Sequence, residues 1–125
     1  MTSEEVAWFA GLFEGEGWIS VSYRPNHSSA KRKPYYLMIR MSIKMTDLDT
    51  LEKVHNMLGG GLVSTKVLEN RKPCWTWTLG DKMKCSTLGH LIFPYMSRRR
   101  QLKLCSMFDA INDHLDEYGY RATAE

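Results

Sequence analysis

Apolar and polar positions change period along the chain, and each change marks an element. Thr2 to Glu5 (TSEE) reads as a helix start: Thr2 caps the first free amides, and Glu5 reaches back three residues as a capping box. Through Val6 to Gly17 (VAWFAGLFEGEG), Ala7, Gly11 and Gly15 recur every four residues, so they line one helix face. A stripe that small admits another backbone very closely. Trp8, Phe9, Leu12 and Phe13 supply apolar bulk on its flanks, and Gly15 and Gly17 are expected to break the helix beside Glu14 and Glu16. Gly17 to Arg24 then alternates with period 2: Ile19, Val21 and Tyr23 on one face, Trp18, Ser20, Ser22 and Arg24 on the other. After a polar loop, Pro25 to Lys33, the run from Pro34 to Met45 repeats the alternation. Leu37, Ile39, Met41, Ile43 and Met45 oppose Met38, Arg40, Ser42 and Lys44.

The second half repeats the plan. Thr46 or Asp47 caps a helix over Leu48 to Leu58, whose Leu48, Leu51, Val54, Met57 and Leu58 fit a 3.6 period. Gly59-Gly60-Gly61 ends it; no Lys-Ser/Thr follows, so the run reads as a turn and not a phosphate cradle. Leu62 to Leu68 reads as a third strand with Ser64 and Lys66 on its polar side. Cys74 to Leu79 reads as a fourth, with Trp75, Trp77 and Leu79 opposite Thr76 and Thr78. Asp81 to Phe93 is a helix closed by Pro94, and Ser97 caps a last helix from Arg98 to about Tyr118. Its expected core positions are Leu102, Cys105, Phe108, Ile111 and Leu115, with Leu104 and Met107 beside them. The order is αββαββαα: an α+β domain in which a four-stranded antiparallel sheet carries helices on one face and leaves the other polar.

Composition narrows this only a little. The 125 residues make one domain over 1–120, with 121–125 expected to fray. Net charge is +3 from 17 basic and 14 acidic residues, too mild to diagnose a polyanion partner; the clustering of Lys31-Arg32-Lys33, Arg71-Lys72 and Arg98-Arg99-Arg100 says more. No apolar run approaches the ~20 residues of a membrane span, and no signal peptide is seen before the first helix. Cys74, Cys85 and Cys105 are odd in number and lack CxxC spacing. They are expected to be idle thiols in a reducing, intracellular compartment, with neither a disulfide framework nor a zinc site. His27, His55, His90 and His114 form no metal or nucleophile spacing; His55 and His90 are expected at the surface or between helices.

The polar sheet face is the first chemical signal. Ser20, Ser22, Arg24, Arg40, Ser42, Ser64, Lys66, Thr76 and Thr78 can all donate to base edges from a β-ribbon in a major groove. Lys31, Arg32, Lys33, Arg71 and Lys72 sit in turns suited to phosphates. The second signal is the string Phe9-Ala10-Gly11-Leu12-Phe13-Glu14-Gly15-Glu16-Gly17, which resembles, position by position, the signature of the LAGLIDADG homing endonucleases. Met45-Thr46-Asp47 with the later Gly59-Gly60-Gly61, and Pro94-Tyr95-Met96 followed by basic residues, resemble further segments of that family. The resemblance covers about residues 4 to 115 and implies the same element order.

What the resemblance implies is specific. Glu16, at the eighth motif place, would hold a Mg²⁺ (or Mn²⁺) ion, with a backbone carbonyl of Gly15 or Gly17 as a second ligand. Glu14 would be a structural or interface group. One motif is half an active site, so two copies would pair through Ala7, Gly11 and Gly15 and bring two Glu16 side chains to the scissile phosphates. The family often carries Lys before the last helix; counting from Pro94 puts Arg99 there, with Arg98 and Arg100 as other occupants or phosphate contacts. Arg holds charge and forks onto phosphate but shuttles protons poorly, so its role would be electrostatic. The family's late second-strand Gln falls on Met45, or on Lys44 with a one-residue shift, and Lys44 is taken here. The implied activity is site-specific double-strand cleavage of a long, near-palindromic DNA target. The rival readings are a cleavage-deficient relative acting as an RNA-binding maturase or DNA-binding module, and a plain structural domain whose glycine-striped helix serves assembly only.

Overall fold

The computed structural model describes residues 1–25, 35–64 and 72–124. The elements are α1 (Ser3–Glu16), β1 (Gly17–Pro25), β2 (Tyr35–Met45), α2 (Leu48–Leu58), β3 (Gly61–Ser64), β4 (Trp75–Leu79), α3 (Lys82–Ile92) and α4 (Arg98–Ala124), with a 3₁₀ turn at Phe93–Tyr95. The expected order holds. The strands form one antiparallel sheet in the order β1-β2-β4-β3, so each helix–hairpin half places its inner strand at the centre.

One face of the sheet meets the helices. Ile19, Leu37, Ile39, Met41, Ile43, Trp77 and Leu79 are buried there against Phe9 and Phe13 of α1, Leu51 and Val54 of α2, and Cys85, Leu88 and Ile92 of α3. The capping box forms as read: the Thr2 amide donates to Glu5 Oε1 at 2.9 Å and the Glu5 amide to Thr2 Oγ1 at 3.1 Å. The glycine run after α2 is a turn with Gly59 at φ 72° and Gly60 at φ 88°, a left-handed backbone that glycine takes without steric cost. The carbonyl of Gly59 accepts the indole N–H of buried Trp77 at 2.7 Å, which locks the turn to β4. His90 stacks on Phe108 between α3 and α4, ring centroids 3.9 Å apart, as an interhelix residue should. No helix among the described residues is long and apolar enough to cross a membrane.

Four details differ from the sequence reading. First, α1 runs through Gly15 to Glu16, and Gly17 passes directly into β1 at φ −91°. Gly17 is needed for space: a Cβ there would lie under 3.0 Å from three ring carbons of Phe13. Second, α4 is rotated from its expected phase. Leu104, Met107, Ile111 and His114 are buried, while Leu102 is 61% exposed and Cys105 is exposed. Third, the register pairs Ser64 with Trp75 and Leu62 with Trp77, so Ser64 shares the helix-side face; Val63, opposite Thr76, takes the outer face. Fourth, α4 continues to Ala124, past the end expected near Tyr118. The outer part of the expected third strand, with Lys66, lies outside the described residues.

Candidate nucleic-acid interface and active site

The site grows from the junction of α1 and β1. Because α1 ends without a loop, Glu16 sits at the seam between the helix and the sheet. It is exposed, and no hydrogen bond or ion pair among the described residues engages it. Gly17, the next residue, pairs with Ile43, the residue before Lys44. Lys44 is exposed on the outer face opposite Thr76, whereas Met45 is half-buried on the helix side opposite Trp75. Of the two candidates for that slot, Lys44 is therefore the one displayed.

The start of α4 comes to the same junction. Ser97 donates its amide to the Glu14 carboxylate. Arg100 Nε lies 2.7 Å from Glu14 Oε2 and 3.2 Å from the Glu14 carbonyl oxygen. The Arg100 guanidinium also lies 5.6 Å from the centroid of the Phe13 ring. Partial burial works to raise the Glu14 carboxyl, but the Ser97 amide and hydroxyl and the Arg100 charge outweigh it and hold the group below its usual range. Arg100, expected as a DNA contact, is thus turned inward onto Glu14, its side chain only 15% exposed. The cause is the phase of α4: Arg100 lies one turn before buried Leu104 and so faces the body of the protein. Arg98 and Arg99 remain exposed.

Arg99 lines a cleft of about 510 Å³ between α4 and the start of β1, together with Gly17, Trp18, Leu102 and Lys103. Lys103, four residues after Arg99 on the same helix face, was not singled out from sequence. Its signal was the i, i+4 spacing, readable only once Leu104, Met107 and Ile111 are known to set the helix phase. Arg100 lines the same cleft, so the cleft holds three cations beside Gly17, of which Arg100 is already engaged by Glu14.

The outer sheet face carries most of the expected polar residues, and two of them sit elsewhere. Arg24 and Arg40 are exposed; Ser20, Ser22, Thr76 and Thr78 are half-buried, and Ser20 stands opposite Arg40. Ser42 is 2% exposed and shares a 3.3 Å hydrogen bond with Thr78 Oγ1, so it is held within the sheet and not displayed. Ser64 is off this face, and Val63, 63% exposed, is on it. Lys72 is exposed before β4; Lys31, Arg32, Lys33 and Arg71, like Lys66, lie outside the described residues. Ala7, Gly11 and Gly15 are exposed on α1, and a Cβ on Gly11 or Gly15 would meet nothing within 4 Å. No group of three or more His, Cys, Asp or Glu residues gathers among the described residues.

An α1 helix runs straight into an antiparallel sheet, with an exposed acid at the seam that no described residue engages and small residues along its open side. The chain belongs to the LAGLIDADG endonuclease family, whose model matches residues 9–110. It is 34% identical over 89 residues to the intron-encoded DNA endonuclease aI3 of Saccharomyces cerevisiae, a match covering 71% of this chain and 20% of that protein. The chain thus spans about a fifth of that relative's length. Among solved structures it is similar to the archaeal intron-encoded homing endonuclease I-Vdi141I complexed with DNA, with a TM-score of 0.70 and 16% identity over 90% of this chain and 70% of that one. It is also similar to the group I intron-encoded homing endonuclease I-CeuI complexed with DNA, with a TM-score of 0.69 and 11% identity over 94% and 59% of the two chains. At these identities the structures establish the shared fold.

Proposed function

We propose that the chain is a homodimeric, site-specific double-strand DNA endonuclease that uses Mg²⁺ or Mn²⁺ at a long, near-palindromic target, working in an intracellular, reducing compartment. The observation that carries the reading is Glu16: an exposed carboxylate at the end of α1 that no described residue engages, beside an open small-residue stripe and a cleft lined by Arg99, Arg100 and Lys103. The named relatives are an intron-encoded DNA endonuclease and homing endonucleases complexed with DNA.

The donor set fits a hard cation. Glu16 offers carboxylate oxygens and Gly15 a backbone carbonyl, which are ligand types suited to Mg²⁺. A single acid makes half a site, and a second copy packed on Ala7, Gly11 and Gly15 supplies the other Glu16. Glu16 and the Gly15 carbonyl would hold the cation, which would supply activation of water and neutralisation of the leaving oxygen. The protein's own work is electrostatic. Arg99 holds positive charge against the phosphate from the cleft, and Lys44 does so from the sheet end. Arg24 and Arg40 read base edges from the outer face, while Lys72 and the basic loops hold phosphates.

The test is cleavage of a plasmid library carrying randomised near-palindromes by wild type and by Glu16→Gln. Wild type should cut in Mg²⁺ and stop in EDTA; Glu16→Gln should bind and not cut. Undiminished nicking by Glu16→Gln would refute the assignment. Wild type that binds RNA or DNA but never cuts would favour the maturase or binding-module reading, as would an unshifted count that puts Met45 and not Lys44 in the slot where the family often has Gln.

A further inference from the structure

We propose that Glu14, the other acid of the motif, is the positioning residue of this site: it fastens the start of α4 to the end of α1 and so holds Arg99 at a fixed spacing from Glu16. The inference rests on the endonuclease reading above and adds a role to a residue outside the metal site.

The geometry is a two-sided clamp across 86 positions of sequence. The Glu14 carboxylate takes the amide of Ser97 and the Nε of Arg100, and Arg100 reaches back to the Glu14 carbonyl oxygen. Glu14 is two residues before Glu16, and Arg100 adjoins Arg99. One ion pair therefore couples the element that carries the acid to the element that carries the cation. The pair is partly exposed, 15% and 32% for the two side chains. Ion pairs of that exposure add little to global stability. The core beneath it is already closed, with Phe9, Phe13, Leu104 and Met107 all fully buried. Alignment is the effect left for it, and a misplacement of about 1 Å can cost about 100-fold in rate.

The experiment uses the full chain and single-turnover cutting at saturating enzyme. Glu14→Gln keeps an acceptor for the Ser97 amide but loses the charge that holds Arg100. It should cut about tenfold or more slowly, with target affinity in Ca²⁺ and the urea midpoint close to wild type. Arg99→Ala should be costly in wild type and add little in the Glu14→Gln background, because the cation is already misplaced. Amide exchange of residues 14–17 and 98–101 should rise in Glu14→Gln while the core stays protected. Wild-type cutting by Glu14→Gln, full additivity with Arg99→Ala, or a rate loss that follows a fall in the urea midpoint overturns the proposal. Should wild type itself never cut, the endonuclease reading fails instead. Unchanged exchange at those two segments then removes the clamp as well, and raised exchange there keeps it.

Discussion

Gly17 stands opposite Ile43 in the β1–β2 ladder, and this one register step brings Glu16 and Lys44 to the same end of the sheet. Lys44 is displayed on the outer face while its neighbour Met45 turns toward the helices. Replacing Lys44 by Met should therefore slow cutting by about 100- to 1000-fold at saturating DNA, the range for losing one stabilising donor at a developing anion. Target affinity should change far less. Single-turnover kinetics beside a filter-binding titration separates the two, and an equal loss in both would make Lys44 an ordinary phosphate contact.

The open face of α1 makes a prediction about assembly. Gly11 has free space around it in one chain, so Gly11→Leu should leave the fold intact by circular dichroism. In a dimer packed on that stripe the same side chain overfills the contact and should weaken association by about 1–3 kcal/mol. Sedimentation equilibrium over a concentration series measures it. A wild-type monomer at micromolar concentration that still cuts both strands would remove the dimer from the mechanism.

Gly17 should be intolerant for an internal reason. A methyl group there would lie under 3.0 Å from the fully buried Phe13 ring, so the ring must shift within the core. Gly17→Ala should cost about 1–3 kcal/mol in urea denaturation. Gly11→Ala, whose methyl group meets nothing within its own chain, should cost almost nothing in the same assay at a protein concentration where the chain is monomeric.

The sheet face predicts two kinds of loss on the target. Arg24 is exposed on the outer face two positions beyond Ser22, where its guanidinium can fork onto guanine O6 and N7. Arg24→Ala should cost ~1–3 kcal/mol at one base pair in each half-site. Lys72→Ala should weaken all sequences alike and lower the salt slope by about one. Cutting of a library with every base varied, at fixed salt, distinguishes them; an even loss from Arg24→Ala would make it a phosphate contact.

Thiol chemistry gives a pH prediction. Burial, aided by the nearby Asp81 charge, pushes the Cys85 thiol up to about 12, and its Sγ donates to the Leu79 carbonyl at 3.2 Å. The thiolate is the reactive form, so Cys85 should ignore a disulfide reagent at pH 8 in the native protein and react only on unfolding. Exposed Cys105 should react at once. Mass mapping of modified thiols at pH 8, with and without urea, gives the order of reaction.

The element order, the capping box, the glycine turn and the two faces of β1 and β2 were all readable from the chain, because periods of 2 and 3.6 and cap chemistry are local properties. So was the acid at the end of α1, through the motif string. Tertiary structure decided the rest. The phase of α4 could be drawn through Leu102, Cys105 and Phe108 or through Leu104, Met107 and Ile111, since both sets are apolar at helical spacing. Packing chose the second, which turned Arg100 inward onto Glu14 and set Lys103 beside Arg99. Likewise Val63 and Ser64 exchange faces with a one-residue choice of parity, and pairing Ser64 with Trp75 settled it. Ser42 alternates as a surface residue should, yet the sheet consumes it in a hydrogen bond to Thr78, 36 residues away. A local pattern says which residues share a side of an element. Which side meets the core, and which partner stands across from it, depends on contacts between segments far apart in the chain.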